Sequence, residues 1–121
     1  KKYLEVRSID ECEWDCHCAG PAFYTGLIYG NLDESLDVIK KWDQSEILNA
    51  YYDSPKKGLN TIINNKTILE WGKIFLDISK DGLKKRKYIN SNNQDETVFL
   101  KNVENILNEK KTRAEKVLEK L

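Results

Sequence analysis

The stretch Thr67-Ile-Leu-Glu-Trp-Gly-Lys-Ile-Phe-Leu-Asp-Ile78 decides the fold class of this 121-residue chain. Thr67 and Glu70 have the spacing of a capping box, in which two side chains satisfy free backbone N–H groups at the start of a helix. The apolar residues that follow recur every three or four positions, which is the period of one helix face. These residues are Ile68, Trp71, Ile74, Phe75 and Ile78. The stretch therefore predicts a helix that buries one side.

Upstream of this helix, the same periodicity predicts three more. We expect them over residues 19–29, from 32 to about 42 and from 45 to about 52. Asn31 and Glu34 have the spacing to cap the second. Pro55 restricts the residue before it and Gly58 permits left-handed backbone, so a break is expected over residues 53–58.

Downstream, the pattern continues to the end of the sequence. Gly82 is a candidate interruption of the central helix, and another helix is expected to open at Asp95. Thr112 and Glu115 form a second capping box, which predicts a last helix running to residue 121. The chain is therefore expected to be mainly α.

The N-terminal stretch Tyr3-Leu-Glu-Val-Arg-Ser-Ile-Asp10 has the alternation of a β-strand instead. Successive strand side chains point to opposite faces, so Glu5 and Arg7 share one face and Val6 lies on the other. A Glu suits a hard cation such as Mg²⁺, and an Arg suits a phosphate or carboxylate. The alternative is a structural ion pair on an exposed sheet face. A single strand at the start of the sequence also suggests a piece of something larger.

Cysteine and histidine are concentrated in the loop that is expected after this strand. Cys12, Cys16, His17 and Cys18 lie within seven residues, which raises the possibility of a zinc site. Structural zinc sites usually combine two separated ligand pairs, and the sequence has no second pair. Free thiols, or one disulfide to a segment outside this sequence, fit the spacing better.

Composition bears on the cellular setting and on the class of partner. Twenty basic and twenty acidic residues cancel, so no overall field attracts nucleic acid. No apolar run approaches the roughly 18 residues needed to span a bilayer. An odd number of cysteines is not typical of a secreted disulfide framework. We therefore expect a soluble cytoplasmic protein that binds neither nucleic acid nor membrane.

Several segments together resemble the C-terminal part of the glutamate-cysteine ligases, in the plant and proteobacterial branch. The N-terminal stretch looks like the family's strand (F/Y)-(I/L/M)-E-(V/M)-R-x-x-D, and residues 18–29 look like its helix C-A-L-P-A-F-W-V-G-L-L-Y. Residues 57–59, 81–86 and 112–118 are similar to the K-G-L, D-G-L-x-R-R and T-P-A-E-x-L-L segments, in the same order. The resemblance covers the whole chain. It implies a strand of the catalytic α+β sheet with a cysteine-bearing loop over residues 1–18, and a helical C-terminal subdomain over 19–121.

The resemblance also implies an activity and a set of site residues. The family makes γ-glutamylcysteine from glutamate, cysteine and ATP, through γ-glutamyl phosphate, as the first step of glutathione biosynthesis. Glu5 would bind an active-site Mg²⁺. Arg7 would hold the terminal phosphate of ATP or the glutamate γ-carboxylate, as both a substrate-binding and a catalytic residue. Cys18 matches a cysteine that pairs with an upstream cysteine as a redox switch in plant enzymes. The loop before Cys18 departs from the family's Gly-Gly-x-Trp type.

Two other functions are compatible with the sequence. A related carboxylate-amine ligase would keep the strand and use another acceptor in place of cysteine. A stand-alone helical interaction module would have no ATP chemistry, with a metal held by the loop from Cys12 to Cys18. The fragment is expected to be inactive alone and to self-associate through its exposed strand.

Overall fold

A computed structural model describes residues 2–3, 5–7, 9 and 12–121. Its regular elements are helices α1 (Ala19–Thr25), α2 (Leu32–Ile39) and α3 (Gln44–Lys57), strands β1 (Ile62–Ile63) and β2 (Lys66–Thr67), and helices α4 (Ile68–Arg86), α5 (Lys101–Glu109) and α6 (Arg113–Leu118). A π-helical turn over Gly26–Gly30 extends α1, and 3₁₀ turns cover Trp14–Cys16, Gly58–Asn60 and Glu96–Leu100. The predicted mainly α fold class is confirmed.

Helix α4 is the central element of the fold. The capping box forms as the sequence predicts: Glu70 N donates to Thr67 Oγ1 at 3.2 Å, and Thr67 N donates to Glu70 Oε2 at 2.8 Å. The helix then runs for 19 residues and continues through Gly82, so the expected interruption there is wrong. Its buried face contributes Leu76 and Leu83 to the core, which is completed by Ala22, Leu100 and Leu107.

The π-helical turn after α1 lies against α4 with the two backbones in direct contact. A Cβ atom built on Gly82 would lie 2.0 Å from the carbonyl oxygen of Gly26, and one on Gly30 would lie 2.3 Å from the Cα atom of Gly82. The hydroxyl of Ser79 also donates to the carbonyl oxygen of Phe23 at 2.8 Å. Only residues without a side chain permit this approach, so these glycines fix the crossing of the two helices.

Asn31 does not cap α2 through its side chain, contrary to expectation. The side chain turns into the protein, where its Nδ2 donates to the carbonyl oxygen of Ile78 and to Asp81 Oδ2, both at 2.9 Å. Lys85 Nζ donates to Asn31 Oδ1 at 2.6 Å. Hydrogen bonds from Lys85 and then Asn31 lower the pKa of Asp81. A buried amide that meets three partners on α4 is better satisfied there than at a helix end.

Helix α3 continues further than predicted. It includes Pro55 and ends at Lys57, because Gly58 has a φ of +52° that a continuing helix does not adopt. The proline ring has no N–H to donate within the helix. The hydroxyl of Ser54 donates to the carbonyl oxygen of Tyr51 at 3.2 Å and so replaces that bond. The break expected over residues 53–58 is therefore confined to its last residue.

A small antiparallel hairpin precedes α4 and was not predicted. Ile62 pairs with Thr67 and Ile63 pairs with Lys66. Between them, Asn64 and Asn65 have φ values of 48° and 63°. Two successive residues at positive φ are typical of the tight turns that join twisted strands, and asparagine tolerates them.

The two ends of the chain differ from the predictions in extent. The described residues of the expected N-terminal strand, which are 3, 5–7 and 9, are not in a strand, and residues 4, 8 and 10 of that stretch lie outside the described residues. A strand exists through bonds to a neighbour, and the neighbours expected here belong to a sheet that this chain does not supply. At the other end, α6 stops at Leu118. In the part of the chain that the structure describes, no helix combines the length and apolar character needed to cross a membrane.

Candidate functional site

The side chains of Glu5 and Arg7 lie close together in the N-terminal segment, although that segment is not a strand. Arg7 Nε lies 3.7 Å from Glu5 Oε1, and the side chains are 83% and 56% exposed, respectively. That separation is longer than a hydrogen bond, so the carboxylate of Glu5 does not bind the N–H donors of Arg7 as it would in a bidentate ion pair. An exposed pair of this kind contributes little to stability. Both groups are therefore accessible to a ligand.

The residue types of this pair suit a nucleotide with its metal. Mg²⁺ prefers oxygen ligands, and in phosphoryl-transfer sites it is commonly held by one or two carboxylates together with substrate phosphates. Glu5 fits as one such carboxylate. Arg7 carries the planar donor fork that recognises phosphate oxygens. Among the described residues, no cluster of three or more His, Cys, Asp or Glu side chains supplies a complete metal site.

The cysteine-bearing loop is closed on itself. Cys12 and Cys16 form a disulfide across a sequence separation of 4, around the 3₁₀ turn Trp14–Cys16. Cys16 is buried and Cys12 half-buried. His17 Nδ1 lies 3.9 Å from Cys12 Sγ. Neither expected alternative, free thiols or a disulfide to a segment outside the sequence, therefore holds for Cys12 and Cys16, which are joined to each other.

Cys18 is an exposed free thiol. With Cys12 and Cys16 joined to each other, a zinc site that uses all four groups of the loop does not form in this state. The redox role that the resemblance implies for Cys18 stays a prediction.

Two residues near the C-terminus attach this loop to the helices, and the sequence did not identify either. Asn102 Nδ2, on α5, donates to the backbone oxygen of Asp15 at 2.8 Å. Arg113, the first residue of α6, lies 3.8 Å from a carboxylate oxygen of Glu13 and 3.9 Å from one of Asp15. The only sequence signal was the coincidence of acidic residues in the loop with an arginine at a helix start.

A groove of about 830 Å³ separates the loop from these helices. Cys12, Cys16 and His17 line one wall, and Arg113 and Val117 line the other. The groove thus lies beside the disulfide and ends against the contacts that anchor the loop.

Comparison with known proteins points in the same direction as the motifs. The family model described as glutamate-cysteine ligase family 2 (GCS2) matches residues 1–120. The chain is 33% identical over 121 residues to a chloroplastic glutamate-cysteine ligase of Solanum lycopersicum and 34% identical over 121 residues to one of Arabidopsis thaliana. It is 32% identical over 120 residues to a chloroplastic glutamate-cysteine ligase A of Oryza sativa subsp. indica. No solved structure gives a significant match.

These matches cover 98% of the chain but only 22–23% of each relative. The chain therefore spans about a fifth of the length of the curated relatives that it matches. The relatives also contradict the predicted cytoplasmic location, because all three are chloroplastic by name and point to a plastid. The prediction rested on the cysteine count, which favours a reducing compartment without distinguishing one from another.

Proposed function

The chain belongs to glutamate-cysteine ligase family 2, and on that premise we propose that it is the C-terminal part of an ATP-dependent ligase that joins the γ-carboxyl group of glutamate to cysteine. The observation that carries the proposal is the exposed pair of Glu5 and Arg7, 3.7 Å apart, in the segment that resembles the family's catalytic strand. The remaining substrate and metal contacts are assigned to parts of the enzyme beyond this chain.

In this reaction Arg7 binds anionic oxygens. The γ-carboxylate of glutamate attacks the terminal phosphorus of ATP, and negative charge spreads over the oxygens of the transferred group. A fixed guanidinium donates two parallel hydrogen bonds to such oxygens and stabilises the charge where it develops. Arg7 therefore lowers the barrier to γ-glutamyl phosphate formation and holds that intermediate for the amine.

Glu5 is assigned to hold Mg²⁺. When bound, the metal would neutralise phosphate charge. The position of Glu5 two residues before Arg7 sets the carboxylate and the guanidinium on the same side of the segment. Its partial exposure leaves room for water and phosphate oxygens beside the carboxylate, which Mg²⁺ requires because it dehydrates reluctantly.

The proposal is tested with Arg7→Ala in the longer protein that contains this chain. Loss of one donor to a developing charge typically lowers kcat by about 10²–10³, so ADP release with ATP, Mg²⁺, glutamate and cysteine should fall by that factor. Lys101→Ala, which removes an exposed positive charge from α5, is the matched control and should leave turnover unchanged. Near-normal turnover of Arg7→Ala would defeat the assignment.

The amine acceptor is tested in the same assay. Cysteine is expected to stimulate ADP release more than other amino acids do, because the family relatives are named for it. Equal stimulation by an amine without a thiol would identify a related carboxylate-amine ligase instead.

A further inference from the structure

Helix α3 presents its large apolar side chains to solvent. The exposed fraction is 39% for Ile47, 55% for Leu48, 71% for Tyr51 and 68% for Tyr52. These positions lie on one side of the helix, because residues three and four apart are neighbours along its surface. The rings of Tyr51 and Tyr52 also contact each other, with centroids 5.4 Å apart. We call these four residues the outer face of α3.

The opposite side of the same helix holds small and charged residues, which reverses the usual arrangement of an amphipathic helix. Ala50 is buried on that side. The carboxylate of Glu46 lies there too and accepts a hydrogen bond from Asn64 N in the turn of the hairpin. Asp53 pairs with Lys57 at 2.6 Å. Helix α3 therefore meets the hairpin through a small side chain and polar contacts, while its large apolar residues point away.

Helix α2 has the same arrangement. Its buried residue is Ser35, whose hydroxyl donates to the carbonyl oxygen of Asn31 at 2.8 Å. Its apolar stripe is 36–46% exposed and consists of Leu32, Leu36 and Ile39. Single exposed apolar residues are normal on a protein surface, but contiguous patches of several hundred Å² mark interaction sites. The two tyrosines of the outer face of α3 alone present roughly 300 Å².

The whole chain exposes more surface than a compact protein of its mass. Its accessible surface is 9272 Å², whereas a folded monomer of 14.1 kDa exposes about 6,700 Å². The excess is about 2,500 Å². A standard interface covers about 800 Å² on each partner, so a second copy docked in that way would leave most of the excess in water. The area therefore favours an occupant that contacts the chain on several sides.

We propose that the outer face of α3 is an internal interface of the longer protein, buried against the part of the polypeptide that lies beyond this chain. The chain spans about a fifth of the length of its relatives, so the remainder is large enough to cover the excess. The surface that receives α3 is apolar at its centre and offers acceptors to the hydroxyls of Tyr51 and Tyr52, because a buried hydroxyl without a partner is costly. This interface is independent of the roles proposed for Glu5 and Arg7.

The first test is the oxidation of tyrosine side chains by hydroxyl radicals in the purified longer protein, measured by peptide mass spectrometry. Each residue is its own reference, because its rate is compared with that in the same protein unfolded by urea. Tyr51 and Tyr52 should lose most of the oxidation rate that they show in urea. If they kept the exposures of 71% and 68% that they have in this chain, they would react nearly as fast as in urea. That result would leave the face open to a separate partner and would overturn the proposal.

Dilution distinguishes the rest of the polypeptide from a second copy. Contacts within one polypeptide do not depend on protein concentration. The protection of Tyr51 and Tyr52 should therefore persist when the protein is diluted until sedimentation shows only monomer. Protection that is lost in step with dissociation would place a second copy on the outer face of α3 and overturn the proposal.

A charged substitution tests whether Leu48 belongs to the same interface. Leu48→Asp should abolish the protection of Tyr51 and Tyr52, since docking would now bury an unpaired carboxylate. Asn49→Asp is the matched control, because it places the same carboxylate about 100° further around the helix axis, outside the outer face, and should leave both tyrosines protected. Equal effects of the two substitutions, or no effect of either, would overturn the proposal. If Leu48→Asp does not fold, the oxidation of the wild type still decides.

Discussion

Replacing Gly82 by alanine should separate the two helices that cross at the centre of the fold. The added Cβ atom would lie 2.0 Å from the carbonyl oxygen of Gly26, 2.9 Å from its carbon and 3.1 Å from the Cα atom of Gly30. All three are backbone atoms, and none can rotate away as the end of a side chain does. The helices must therefore move apart for the alanine to fit.

The size of the effect follows from this geometry. Restoring an ordinary contact of 3.4 Å to the oxygen requires a separation of about 1.4 Å. A gap of even 0.5–1 Å loses about a quarter to a half of the dispersion attraction between facing atoms, and overpacking typically costs about 1–3 kcal/mol. With an immovable backbone we take the upper end, about 3 kcal/mol. Alanine also favours the helix by about 1 kcal/mol, which leaves a net loss of about 2 kcal/mol.

The measurement is thermal unfolding followed by circular dichroism at the helix band. For a domain of this size, a loss of 2 kcal/mol should lower Tm by about 8 °C. Gly72→Ala is the matched control, because it is the same substitution in the same helix. Its Cβ atom would meet only the side-chain end of Leu107, at 2.7 Å, and stability should stay within about 1 kcal/mol of the wild type. If Gly82→Ala were as stable as Gly72→Ala, the backbone contact would not be what fixes the crossing.

Two further predictions concern polar groups. The pKa of Glu70 is lowered, first by the backbone N–H of Thr67 and then by its hydroxyl, so its contribution is present above the usual value of 4.5 and is lost as the pH falls through the lowered folded value. Unfolding in urea at several pH values should show wild type more stable than Glu70→Gln at pH 7 and the difference shrinking below pH 4.5; a constant difference would contradict this. Asn31→Leu should lower stability by about 1–3 kcal/mol, since the carbonyl of Ile78 and the carboxylate of Asp81 lose the amide of Asn31 as a donor and Lys85 loses an acceptor. Urea unfolding that matches the wild type would show that water satisfies those groups equally well.

Local chemistry is what the sequence predicted well. Both capping boxes form, Thr67 with Glu70 and Thr112 with Glu115. Each depends on two residues three positions apart, whose side chains and backbone N–H groups meet whenever the helix begins there. The apolar stripe of α4 follows from the same short spacing.

The sequence-based predictions were wrong where contacts that no local pattern shows determine the local structure. Asn31 has a capping signal, but its partners Ile78 and Asp81 are 47 and 50 residues away, and no local pattern announces them. Pro55 predicts a helix end, yet Ser54 supplies the hydrogen bond that the proline cannot make. In both places a polar group found a better partner than the sequence pattern implies.

The candidate site likewise has parts that the sequence predicts and parts that it does not. The sequence identifies Glu5 and Arg7 by their residue types, and their closeness reflects a separation of only two positions. The anchoring by Asn102 and Arg113 joins residues 87 or more positions apart and follows from no spacing. The disulfide was only partly predictable. Its cysteines are close together in sequence, but nothing in the sequence distinguishes a disulfide from a metal site or from free thiols.

The glycines show why segments that identify a family need not belong to its chemistry. Gly26 lies in the segment of residues 18–29 and Gly82 in that of residues 81–86, and the two meet backbone to backbone at the helix crossing. A side chain at either position would push the crossing apart, so both segments would hold glycine whether or not the helices touched a substrate. Their presence therefore supports the helical body of the family and not its catalysis. The proposed ligase chemistry rests, within this chain, on Glu5 and Arg7, which is why Arg7→Ala is the substitution that tests it.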